Sequence, residues 1–137
     1  MLNDATTNLA DPPRFVLQEN GPKHFDPDIA GEHSQIHPDL DTLSVAAPRE
    51  AVYDAALALA KEEGWQVIAR DPAAGQFEAV ATTRILRFKD DVVVRVRGDE
   101  TSAEVDMRSK SRVGKGDFGA NAKRIGAFLS KLDGKFP

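Results

Sequence analysis

The chain has no cysteine in its 137 residues, so disulfides, thiolate nucleophiles and Cys-ligated zinc are all excluded. Histidine is nearly as scarce. His24, His33 and His37 are the only three, and all fall in the first 38 residues, so the rest of the chain has none with which to build a Ser-His-Asp arrangement. Long apolar runs are missing too. The most apolar window, Ala51 to Ala60, is interrupted by Tyr53 and Asp54 and is too short to cross a bilayer. The opening "MLNDATTNLADPP" lacks the basic start and apolar stretch of a signal peptide. These absences lead to the expectation of a soluble chain, and the lack of cysteine suits cytoplasm and periplasm equally.

What is present is ordinary for a globular protein: 41% apolar and 29% charged residues, at a length that suits one domain with a tail. The net charge of −4 hides an asymmetry. Residues 1–41 carry eight acids against Arg14 and Lys23, a net of −6, which leaves +2 for the remainder. Within that remainder, Arg108 to Arg124 holds six bases and the single acid Asp117, a basic corner behind an acidic front. Five of the eight prolines also lie in residues 1–38, without sustained periodicity. That segment reads as an acidic, Pro-rich arm or linker, with Phe15-Val16-Leu17 able to dock as a short edge strand. Residues 39–134 read as a single α+β domain.

Periodicity orders that domain. "DTLSVAA" alternates as a short strand. After Pro48, Val52, Ala55, Ala56 and Leu59 share one helical face up to the terminator Gly64. "WQVIAR", "QFEAVATT" and "DVVVRVR" read as strands, with "RILRFKDD" a loop or irregular extension between the last two. "TSAEVDMRSKS" alternates cleanly: Ala103, Val105, Met107, Ser109 and Ser111 on a buried face, Glu104, Asp106, Arg108, Lys110 and Arg112 on a wet one. A final helix runs from Asp117 to Leu132. The order β-α-β-β-β-β-α implies an antiparallel sheet with both helices on one face, as in TATA-binding-protein-like or helix-grip-like folds.

Gly114-Lys115-Gly116-Asp117-Phe118-Gly119 has the G-x-G-x-x-G spacing of a dinucleotide loop. The context for it is incomplete, because a Rossmann unit needs a further parallel strand and an acid beyond the helix, and only 18 residues follow Gly119. Asp117 sits where a helix cap belongs and would occupy the amides a phosphate needs. Asp117, Asn121 and Arg124 line one edge of the helix at i, i+4, i+7, either as a polar network reaching Ser109 or Ser111, or as a recognition edge for an anion together with Arg112 and Lys115. "HSQIH" offers a histidine pair outside any expected helix, so no metal site is expected, and no cofactor. The Asp90-Asp91 pair shapes a turn or meets Arg108 or Arg112. Glu104 and Asp106, interleaved among the bases, argue against nucleic acid as partner.

"FKDDVVVRVR" followed by "DMRSKSRVGKGDFGANAKRIGAFLSKL" resembles the bacterial and plastid family catalogued as domain of unknown function 1499. Its pattern, a D-D pair and then R-S-x-S-R-x-G-x-x-D-x-G-x-N-x-x-R-I, falls on Asp90, Asp91, Arg108, Ser109, Ser111, Arg112, Gly114, Asp117, Gly119, Asn121, Arg124 and Ile125. The resemblance covers most of residues 36–132. It implies no activity. "NDATTNLADPPRF" is similar to the segment following transmembrane helices in some members, which implies membrane tethering of a longer protein and an envelope location. The expected function is a non-enzymatic binding domain. Its site is Asp90, Asp91, Arg108, Ser109, Ser111, Arg112, Lys115, Asp117, Asn121 and Arg124, and its partner an anionic small molecule, a lipid headgroup or the acidic face of a protein. The alternative is an enzyme using Asp90, Asp91, Ser109, Ser111 and Arg112. A third possibility is that the acidic arm itself covers the basic corner.

Overall fold

Two long strands carry the architecture. β5 (Lys89–Gly98) and β6 (Ala103–Ser111) pair antiparallel from Asp90↔Ser111 to Gly98↔Ala103 in a computed structural model that describes residues 2–17 and 24–137. β4 (Gln76–Thr82) adds to the free edge of β5, and β3 (Gln66–Asp71) to β4. On the other side of β6, β1 (Asp4–Thr6) and β2 (Leu43–Val45) lie end to end along one edge, so the sheet order is β1-β6-β5-β4-β3 with β2 beside β1. Every pairing is antiparallel, as expected of strands joined by short turns.

One face of this sheet is an apolar core. Val92, Val94 and Val96 of β5, Val105 and Met107 of β6 and Phe77 of β4 are buried beneath two helices, α2 (Arg49–Glu62) and α3 (Ala120–Asp133). α2 contributes Val52, Ala56 and Leu59 from one stripe, and α3 contributes Ile125, Phe128 and Leu132. Trp65 stacks on Phe128 with centroids 4.9 Å apart, and the Tyr53 hydroxyl donates to the Gln76 carbonyl. The α+β class, the antiparallel sheet and the two helices on one face agree with the sequence pattern. α3 begins three residues later than the apolar stripe implies, because Phe118 and Gly119 both adopt left-handed backbone, φ 53° and 82°.

The other face departs from expectation. Alternation alone makes it wet, yet Glu78, Arg95, Asp106 and Arg108 are all buried there. The cover comes from the Pro-rich front of the chain, which holds a strand, β1, and a short helix, α1 (Ala30–Ile36), where the sequence shows no packed element. Phe15 does dock, though not as a strand: Val16 and Leu17 donate their backbone N–H groups to Glu78 Oε2, at 3.0 and 2.7 Å. Arg108 has no exposed surface. Its Nε and Nη2 fork onto both carboxylate oxygens of Asp4 (2.9 and 2.7 Å), and its guanidinium lies 5.2 and 5.7 Å from the ring centroids of Phe15 and Phe25. Arg95 pairs with Asp106 at 3.1 Å and donates to the Asp11 carbonyl. Burial pushes the Asp106 carboxyl up, but donors from Thr42, Thr7, Asn8 and Arg95 outweigh it and hold the group below its ordinary range. The front segment therefore docks on the body: Asp4 and Asp11 engage Arg108 and Arg95 on the sheet face, while the backbone and side chain of Leu2 and Asn3 reach Gly114, Asp117 and Asn121 in the basic corner.

His33 on α1 fastens this cover. Its Nε2 accepts the N–H of Thr6 in β1 at 3.1 Å, which requires a neutral ring. Burial lowers its pKa below the usual histidine value, as does His37, with Asp4 opposing.

Two outcomes follow. Arg108→Met strands a buried carboxylate and should lower the unfolding free energy by about 3–5 kcal/mol in a denaturant titration, with Arg108→Lys failing to restore it because an ammonium cannot fork. A depressed histidine pKa means the unfolded chain binds the proton more readily, so its stabilising contribution is full above about pH 6.5 and falls as the pH drops below that. In His33→Gln, which keeps an acceptor for Thr6, the stability-against-pH curve should be flatter in that window.

Candidate functional site

The polar residues singled out by the sequence divide between the two faces of the sheet. Asp90 and Asp91 do not form a turn. They are successive residues of β5, so their side chains leave opposite faces. Asp90 points to the helix side, where Arg124 Nη1 reaches it at 2.7 Å. Asp91 points to the other, where the Arg112 guanidinium clasps both its oxygens at 2.8 to 3.1 Å. Arg108 lies beneath the front segment and takes no part in either group.

Asn121 is the hub of the helix-side cluster and is fully buried. Its Oδ1 accepts from Ser109 Oγ (2.6 Å) and Arg124 Nη1 (3.1 Å), while its Nδ2 donates to Ser111 Oγ (2.9 Å), Asp117 Oδ2 (2.7 Å) and the Asn3 carbonyl (3.2 Å). Asp117 in turn accepts the backbone N–H groups of Gly119 (2.7 Å) and Asn121 (3.2 Å). The helix-terminal amides of the glycine motif are thus held by a carboxylate of the chain, which is how a capping residue works and not how a phosphate loop does. Ser109, Ser111, Asp117, Asn121, Arg124 and Asp90 come together as one network tying α3 to β5 and β6. Lys115 stands apart, exposed in the following loop with no ion pair among the described residues.

Above this network opens a cleft of about 440 Å³. Its walls are two loops, 83–88 between β4 and β5 and 112–119 between β6 and α3, and its floor holds Asp90, Ser111 and Asp117. The first loop is closed at its neck. Thr83 N–H donates to the Phe88 carbonyl and Phe88 N–H to Thr83 Oγ1, each at 2.8 Å, so Arg84-Ile85-Leu86-Arg87 projects as a tip. Eight large apolar side chains are exposed among the described residues, and five of them cluster here: Ile85, Leu86, Phe88, Val113 and Phe118. Ile85 and Phe118 are nearly bare, at 89% and 93% exposure. Arg87 and Phe118 are also the non-glycine residues of the described chain with left-handed backbone, a conformation that costs energy and concentrates at functional sites.

Ile85, Leu86, Phe88, Val113 and Phe118 are absent from the sequence-derived site. The signal was there. "TRILRFK" places three bases around three large apolar residues with no acid, in a stretch that neither helix nor strand periodicity can bury. "HSQIH" is corrected as well: His33 lies on a helix, its ring 5.2 Å from that of His37, and no group of three metal-ligating side chains occurs among the described residues. No helix among those residues is long and apolar enough to cross a membrane.

The sequence matches the family described as "Protein of unknown function (DUF1499)" over residues 4–132. No curated protein matches it. Among solved structures it is similar to the di-domain ARO/CYC protein BexL of the BE-7585A biosynthetic pathway, with 15% identity and a TM-score of 0.49 over 68% of this chain. The chain spans 44% of BexL, less than half its length. It is also similar to the Zhui aromatase/cyclase from a Streptomyces species (13% identity, TM-score 0.40, covering 69% of this chain and 82% of that one). A protein from Thermus thermophilus is a further neighbour (13% identity, TM-score 0.34, covering 69% of this chain and 86% of that one).

The network makes a clear expectation for Arg124. Its removal leaves Asp90, whose side chain is 3% exposed, without its ion pair. Arg124→Ala should therefore cost about 3 kcal/mol of stability, read as a lowered denaturation midpoint, and Asp90→Asn in the same chain should recover part of it.

Proposed function

We propose that this chain, which belongs to the DUF1499 family of proteins of unknown function, is a non-enzymatic binding domain whose site is the cleft between loops 83–88 and 112–119. The observation that carries the reading is the clustering of exposed apolar side chains around a concave space that has a few polar groups at its base. Ligand sites have that composition, and a patch of this kind left in water is rarely idle. The ligand is an amphiphile. Its apolar part contacts Ile85, Leu86, Val113 and Phe118, and its anionic group meets Arg84, Arg87 and Lys115, which are exposed and carry no ion pair among the described residues. The anionic partner expected from the sequence is retained, but the cations that recruit it move. Arg108, Arg112 and Arg124 already hold Asp4, Asp91 and Asp90.

The enzyme reading has less support, because only Asp90, Ser109 and Ser111 of its set share a face. Asp90, Asp91, Ser109, Ser111 and Arg112 lie on opposite faces of the sheet, and each carboxylate is neutralised by its own arginine. Catalysis needs such groups to converge on one reacting atom.

A titration with dihexanoyl-phosphatidylglycerol below its micelle concentration, followed by amide chemical shifts, tests the site. Shifts should concentrate in residues 83–89 and 112–119, and the Ile85→Ser/Phe118→Ser variant should bind at least about tenfold more weakly. Equal binding by the variant, or shifts centred elsewhere, would sink the assignment.

A further inference from the structure

The form in which the ligand is presented follows from the shape and charge of this end of the molecule, granted that the two loops are the binding site. The β5–β6 ladder stops at Asp90↔Ser111, and both loops spring from that edge side by side. One is a closed tip with an apolar pair between two arginines, and beyond its neck Lys89 adds a third exposed base. The other presents Val113 and Phe118 with Lys115 between them. Its one acid, Asp117, is spent on capping α3. At the far end of the same two strands, the turn joining β5 to β6 carries Asp99 and Glu100 and no base. The domain thus has an apolar, cationic pole and an opposite pole whose hairpin is acidic.

We infer that loops 83–88 and 112–119 insert together into the headgroup region of an anionic lipid bilayer, docking the domain with its β5–β6 hairpin pointing away from the membrane. Charge complementarity and shape select this occupant over a soluble amphiphile. Ile85 and Phe118 line the cleft at its open mouth at nearly full exposure, and the exposed bases Arg84, Arg87 and Lys115 sit beside them in the same two loops, where they can meet the phosphates of a headgroup layer. Large apolar side chains beside Lys and Arg are the composition of interfacial anchors, with hydrophobic insertion and attraction to anionic lipid acting together.

Co-sedimentation with large unilamellar vesicles tests this. Vesicles of phosphatidylcholine with about one-third phosphatidylglycerol should bind the chain at least about tenfold more tightly than pure phosphatidylcholine, with the difference shrinking at high salt. Ile85→Ser/Phe118→Ser and Arg84→Ser/Arg87→Ser should each weaken binding on the order of tenfold or more. These positions are exposed, and unchanged melting curves would confirm that the variants fold. Because the chain has no cysteine, Leu86→Cys and Glu100→Cys each accept a single polarity-sensitive dye. The dye at position 86 should shift to the blue on vesicles and be quenched by brominated lipid, and the dye at position 100 should not. Both dyes responding alike, or vesicle binding indifferent to the loop substitutions, would overturn the inference. Binding of the short-chain lipid without any binding to vesicles would overturn it too, while leaving the cleft as the ligand site; failure of both would remove the two together. Sedimentation without lipid that depends on Ile85 and Phe118 would overturn it by assigning the patch to a second copy of the chain.

Discussion

The ion pair between Arg108 and Asp4 organises the sheet's second face. A guanidinium with no exposed surface is tolerable only where its donors are met, and Asp4 meets two of them in a forked geometry while Phe15 and Phe25 approach its plane. Each of those partners comes from the front of the chain. Once Arg108 is committed to the interior, β1 must pair with β6, the Pro-rich segment must cross the sheet, and α1 must seat His33 against Thr6. The remaining buried charges have the same logic. Glu78 is met by the amides of Val16 and Leu17, and Arg95 by the Asp11 carbonyl and Asp106.

The helix-side half of the fold was legible because hydrophobic burial leaves a periodic trace. Val92, Val94 and Val96 alternate, and Val52, Ala56 and Leu59 recur along a helix, so β5 and α2 follow directly from the letters. The second face left no such trace. A strand reading Glu104, Asp106, Arg108, Lys110 looks solvated on one side, and alternation cannot distinguish charges that face water from charges that face their partners. Nor does proline-rich composition reveal docking, since the segment is held by side-chain acids and carbonyls rather than by a run of apolar residues. In the candidate site, the network of Asp117, Asn121 and Arg124 with Ser109 and Ser111 was readable from helical spacing. The separation of Asp90 from Asp91 needed the strand boundary, which begins one residue before the pair. The apolar loop residues were passed over because they fit no secondary-structure period, which is the reason they remain exposed.

Polarity is therefore inverted between two regions of one small domain. Charges are taken inside beneath the front segment, where pairing makes their burial tolerable, while Ile85, Leu86 and Phe118 are left outside. The polar network under the cleft links these choices. It pins α3 to the sheet through Asn121, so the loop entering that helix has a fixed base, and Phe118 can be held in left-handed backbone next to Gly119.

The pairing of β1 with β6 also has a consequence in time. Asp4 and Arg108 are 104 residues apart in sequence, and the Asp117 amide bonds to the carbonyl of Leu2. Contacts of such separation close large loops, so they raise the contact order and form slowly. On a ribosome, which delivers the chain from its amino-terminal side, β1 has no partner until β6 has emerged, and the stretch of the β6 edge from Arg108 to Lys110 stays open until β1 returns to it. Of the strands described, β1 is made before the others yet is among the last to find its place, and its arrival completes the β6 edge.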